Sequence, residues 1–174
     1  ITECKTYDEY LSMAESYLNI ACYPPAKYGA EQLSKRLGMK FLYLPFSFDY
    51  NEIDTQLKSL VKEMPGCELS DTVLLQKKCE SLLKETKQLV GDTPITIDAT
   101  AVPRILGLTK LLITHGFCVV KIFADGFLAE EKADYLWLKE NAPDLKICAT
   151  IHPNMRVYPR NSQEKVLAIG QKAA

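Results

Sequence analysis

PITIDATAVPRILGLTKLLITHGFCVVKIFA, residues 94–124, decides the fold. Its opening ITIDA reads as a strand, and an apolar helical pattern then runs from Val102 to His115. Gly116 breaks that pattern and FCVVKIFA returns to strand. The rhythm repeats downstream, with a helix from about Leu128 to Asn141 and a strand LKICATI. Strands alternating with helices of this length imply right-handed crossovers and a parallel sheet covered on both faces. The fold class is therefore α/β, a Rossmann-like doubly wound arrangement with helices on both faces.

The same alternation precedes this stretch. Thr6 and Glu9 have capping-box spacing, and Tyr7, Leu11 and Ala14 recur at helical intervals, which predicts a short helix over 7–17. The strand LNIAC follows, then a helix from Tyr28 to Leu37 closed by Gly38, then the strand KFLYLP stopped by Pro45. Ile53, Leu57, Leu60 and Met64 form one apolar helical stripe that Pro65-Gly66 ends. A longer helix from about Asp71 to Val90 is expected to bury Val73, Leu75, Cys79, Leu82 and Leu83, and Gly91-Asp92 closes it. The expected organisation is 1–64 as the second half of one α/β domain, 65–92 as a connecting helical segment, and 93–174 as most of a second α/β domain. Both ends read as cut, and the ending IGQKAA reads as still helical.

With 174 residues, 47% hydrophobic and 25% charged, the chain can bury a sizeable core. A formal net charge of -1 gives no bias toward nucleic acid or an anionic membrane. The apolar runs are strand-sized, short of the roughly 20 residues a membrane helix needs, and no leader pattern opens the chain. A cytoplasmic protein with neither nucleic acid nor membrane as partner is expected. None of the six cysteines lies at C-x-x-C spacing, so the sequence carries no zinc, thioredoxin-like or ferredoxin-type signature, and reduced thiols are expected.

In open parallel sheets ligands gather beyond the carboxyl ends of strands. Cys22 leaves its strand there, beside Tyr23 and two prolines; it is either a half-buried packing thiol or a single ligand to a metal or cluster. The loop DATAVPR sets Pro103 and Arg104 at a helix start, either as an anion site or as an ordinary helix start with a solvated arginine. Asp98 and Asp125 end strands and are either an acid–base pair or helix caps. His152, four residues after Cys148 and followed by Asn154, Arg156, Tyr158 and Arg160, reads as a loop histidine rather than a metal ligand. His115 reads as a residue interacting with its helix dipole. No G-x-G-x-x-G, Walker A or G-x-S-x-G pattern occurs.

Residues LNIACYPPAKYGAEQLSKRLGMKFLYLPFSFDYNEIDTQL resemble the middle of nitrogenase component 1 subunits. There a strand ends in a His-Cys-Tyr-Arg-Ser loop, followed by a helix, a "GIP" turn and another strand. ITIDATAVPRILGLTKLLITHGFCVVKIF is similar to the start of that alpha subunit's third domain, whose loop carries Gly-Gly-x-Arg-Pro-Arg against the cofactor. Pro103 and Arg104 match its final Pro-Arg, while Ala99, Thr100 and Val102 replace the two glycines and the first arginine. These replacements argue against the full molybdenum–iron cofactor and for a nitrogenase-like relative.

The resemblance implies a fragment of a metallocluster-dependent oxidoreductase subunit, or of a cofactor-assembly scaffold. Its cofactor would be an iron–sulfur or iron–sulfur-derived cluster. Cys22 would be the metal ligand, with Thr100 and Arg104 in the loop that binds the cofactor. The implied partners are a sister or identical component 1-like subunit and an ATP-dependent iron–sulfur reductase. The isolated fragment would have no turnover. The alternative is a non-redox α/β module that binds a small ligand or serves a structural role.

Overall fold

The computed structural model describes residues 4–69, 71–157, 165–171 and 173. By internal contacts the chain divides into two compact units, Ile1–Phe46 with Thr55–Leu69, and Ser47–Asp54 with Ser70–Ala174.

The first unit contains α1 (Tyr7–Ser12), β1 (Asn19–Ala21), α2 (Pro24–Leu37) and β2 (Phe41–Tyr43). It also holds most of α3 (Tyr50–Glu63), whose first turn belongs to the second unit. β1 and β2 pair in parallel, Asn19 opposite Phe41 and Ala21 opposite Tyr43, and Leu44 N–H continues the ladder to Ala21 C=O at 2.8 Å. α2 starts four residues before the periodic stretch predicts. Pro24 and Pro25 occupy its first positions, where a fixed φ suits the helix and a missing N–H leaves no bond unmade. α1 is shorter than expected and gives way to a 3-10 turn at Met13–Glu15.

The second unit contains α4 (Thr72–Val90), β3 (Ile95–Asp98), α5 (Ile105–Thr114), β4 (Val119–Phe123), α6 (Lys132–Asn141), β5 (Lys146–Cys148) and β6 (Leu167–Ile169). All its strands are parallel, in the order β5-β4-β3-β6. The chain steps outward from β3 to β4 to β5, then returns to the free edge of β3. This reversal makes the β3/β6 boundary a topological switch point, and the doubly wound α/β class expected from the alternation is what the structure shows.

β3 is buried along its whole length, and Ile95, Ile97, Leu106, Ile122 and Leu138 form the centre of the core. Only Leu83 and Val90 of α4 pack against this core; Val73, Leu75, Cys79 and Leu82 are exposed. Of the expected stripe Leu83 alone reaches the core, joined by Val90 at the end of the helix. Its start is fixed by Asp71, whose Oδ1 accepts from Leu74 N–H at 2.9 Å.

Two boundaries differ from expectation for tertiary reasons. α5 begins at Ile105 rather than Val102, because Asp98 gathers Thr100 N–H and Ala101 N–H into a turn before the helix starts. The tail, whose ending IGQKAA reads as helical, holds the strand β6 up to Ile169 instead. Leu167 N–H donates to Pro94 C=O at 2.9 Å and Ile169 lies opposite Ile97, so the open edge of β3 overrides a weak local preference. Among the described residues no helix is long and apolar enough to cross a membrane.

Candidate functional site

The carboxyl ends of β3 and β6 meet at the switch point. Asp98, 1% exposed, accepts from Thr100 N–H at 2.6 Å and from the Thr100 hydroxyl. Thr100 Oγ1 in turn accepts from Gln171 N–H at 2.9 Å, which ties the loop after β3 to the loop after β6. Gly170 has φ +111°, and a Cβ there would lie 2.5 Å from the Asp98 carboxylate. Glycine alone permits both the backbone angle and this approach. Asp125, at the end of β4, accepts from Ile151 N–H at 3.0 Å and from the Thr150 hydroxyl. Each aspartate thus organises its own loop.

Arg104 is buried rather than solvated, at 5% exposure. Its guanidinium forks onto Glu52 at 2.9 and 3.0 Å and reaches Asp134 Oδ2 at 3.2 Å. The other oxygen of Asp134 takes Lys110 at 3.0 Å, and Ser47 donates to Glu52 at 2.6 Å. Burial opposes the charge on Arg104, but the hydrogen bond and charge of Glu52, joined by Asp134, more than offset it and raise its pKa. Gly107 makes room for the cluster: a Cβ there would sit 3.2 Å from Phe48 and 3.4 Å from Asp134 Oδ2. Glu131, also buried, caps from the other side, accepting from Leu106 N–H at 2.8 Å and Leu128 N–H at 2.9 Å.

This cluster floors one end of a cleft of about 740 Å³ lined by α4, α5, α6 and the first turn of α3. At the other end His115 Nδ1 lies 2.7 Å from Leu111 C=O, and its Nε2 lies 3.0 Å from Glu80 of α4. Tyr50 hydrogen-bonds the same Glu80 carboxylate. Burial and then that carboxylate push the Tyr50 phenol up to about 12. His115 and then Tyr50 hold Glu80 below the usual carboxylate range. The helix-end reading of His115 accounts for its Leu111 bond; Glu80 is an additional partner from another helix.

Cys22 lies in the first unit, one residue beyond β1, as a half-buried free thiol ahead of the α2 N-terminus. Its neighbour Tyr23 packs edge-on against Phe46 from the end of β2, ring centroids 5.5 Å apart. Thr100 and Arg104 belong to the second unit, where one is held by Asp98 and Gln171 and the other by Glu52 and Asp134. His152 is exposed and its Nδ1 accepts from Asn154 N–H at 3.2 Å; Tyr158 and Arg160 lie outside the described residues. Among the described residues no three His, Cys, Asp or Glu side chains are grouped to hold a metal ion. The cleft-forming carboxylates Glu52, Glu80 and Asp134 carry no local sequence signal, since each sits on an ordinary amphipathic helix. Comparison with protein-family models and with curated proteins finds no match to this chain.

Proposed function

We propose that the chain is part of a nitrogenase component 1-like oxidoreductase subunit, a metallocluster-dependent reductase or cofactor-assembly scaffold. Its electrons would come from an ATP-dependent iron–sulfur reductase, and a sister or identical subunit would complete the assembly. The observation that carries this reading is the position of Cys22, a free thiol one residue beyond the carboxyl end of a parallel strand and two residues before a helix. A soft thiolate suits an iron–sulfur cluster.

The donor set of this chain fits one thiolate contact. Bound there, the cluster would supply electron storage and transfer. Cys22 would anchor it, and the Tyr23–Phe46 pair would hold the loop in shape. Thr100 and Arg104 are engaged within the fold, so their contribution would be to brace the DATAVPR loop through Asp98, Glu52 and Asp134. Turnover requires the rest of the subunit.

Anaerobic reconstitution with iron and sulfide tests the proposal by metal analysis and visible absorbance. Stoichiometric uptake that Cys22→Ala abolishes, with the fold intact by circular dichroism, supports it. Uptake unchanged in that variant removes Cys22 as ligand and the reading with it.

The cleft of about 740 Å³, lined mainly by polar and charged side chains beside Phe48 and Leu111, and by no thiol, favours a second reading, a non-redox module that binds a small polar molecule. A concentration-dependent rise in melting temperature with such a molecule, in iron-free protein, would mark it.

A further inference from the structure

We propose that Tyr50, Glu80 and His115 form a proton-operated clasp that closes the end of the cleft in the second unit. The three side chains come from the first turn of α3, the middle of α4 and the residue that ends α5. A carbonyl oxygen can only accept, so His115 Nδ1 donates to Leu111 C=O. The Glu80 carboxylate also only accepts, so the 3.0 Å contact is a hydrogen bond when Nε2 carries a proton too. Both bonds together require the imidazolium. The neutral ring has a single N–H and keeps only one of the two bonds; in the tautomer that keeps the Leu111 bond a lone pair faces Glu80, and the link between α4 and α5 is broken.

The neighbouring charges leave this proton as the variable one. Cys79 and Glu80 face Tyr50 from α4. Lys87, further along α4, is held by Gly91 C=O at 2.6 Å and Asp92 at 2.9 Å. Arg104 and Lys110, from the α5 side, are paired with Glu52 and Asp134. Residues 47–54 are thus fixed at one end by Arg104–Glu52, while Tyr50 is fixed through Glu80. Burial alone would lower the His115 value, but the Leu111 bond and the Glu80 bond and charge outweigh it and raise it. The clasp is therefore fully closed below the ordinary histidine value and opens as pH rises through the raised one. Opening releases the Glu80 carboxylate, with Tyr50 still bonded to it, from its tie to α5.

Two measurements on the whole chain test this. Ring-proton NMR follows the two histidines through pH, and amide exchange, corrected for its intrinsic pH dependence, follows residues 51–54. The clasp requires His115 to titrate above the ordinary value, with exchange at 51–54 rising severalfold across the same range. Glu80→Gln should return His115 toward the ordinary value and flatten the exchange profile, while Tyr50→Phe should leave His115 raised and loosen 51–54 at every pH. An ordinary His115 value that Glu80→Gln does not move would overturn the proposal. So would a raised value with exchange at 51–54 indifferent to it.

Discussion

Asp134 binds Arg104 through one carboxylate oxygen and Lys110 through the other, at 3.2 and 3.0 Å, from a position only 8% exposed. One acidic side chain on α6 thus neutralises two cations on and before α5. The bridge sets the spacing of the two helices over the sheet.

Arg104→Leu takes the guanidinium from Glu52 and leaves Asp134 with Lys110, and removal of one partner of a buried ion pair costs about 3–5 kcal/mol. Glu52→Gln acts on the exposed end of the same network, where a pair is worth about 1 kcal/mol or less. Urea unfolding should separate the two variants clearly. Equal losses would show that Arg104 acts through packing of its stem rather than through its charge.

Gly170→Ala forces a side chain into the left-handed region and onto the Asp98 carboxylate. Strain of this kind costs about 1–3 kcal/mol. The loss should fall on β6, seen as faster amide exchange at Leu167–Ile169 with β4 unaffected. Adding Asp98→Ala should recover part of the loss, because it relieves the contact but not the backbone angle.

Alkaline titration followed by ultraviolet absorbance should find Tyr50 among the last tyrosines to ionise, at about 12. Glu80→Gln removes the carboxylate that opposes the phenolate, so the Tyr50 transition should move toward the ordinary value of about 10. A Tyr50 transition that stays in place would assign the shift to burial alone.

Leu106→Ala and Leu138→Ala empty fully enclosed positions in the core, and each should cost about 2–5 kcal/mol in chemical unfolding. Leu89→Ala removes an 88% exposed side chain of α4 and should stay within about 0.5 kcal/mol. A large effect at Leu89 would show that this face of α4 is covered in solution.

The β3–α5–β4–α6–β5 alternation was legible because each element carries its own period, with Gly116 as a stop between α5 and β4. β6 was not legible. Its three residues are too short to show a period, and its state is set by the vacant edge of β3 rather than by local preference. The cleft was hidden for a related reason. Arg104 meets Glu52 and Asp134 across 52 and 30 residues of sequence, and His115 meets Glu80 across 35. Residue type announced that Arg104 and His115 could carry charge, but only the packing of α3, α4 and α6 chose what answers it. Cys22 stands where its strand was expected to end, one residue past Ala21, since a strand terminus is a local property.

The strand order has a consequence in time. β3 and β4 are separated by a single helix and can pair as soon as both have been made, whereas Ile95 waits for Leu167. At about 5–20 residues per second of synthesis, the second edge of β3 stays open for several seconds while the rest of the sheet assembles. Throughout that interval the strand that ends up most buried in the unit presents unpaired backbone groups to any other extended segment nearby. The late arrival of β6, latched by Gly170 over Asp98, is the step that ends this exposure.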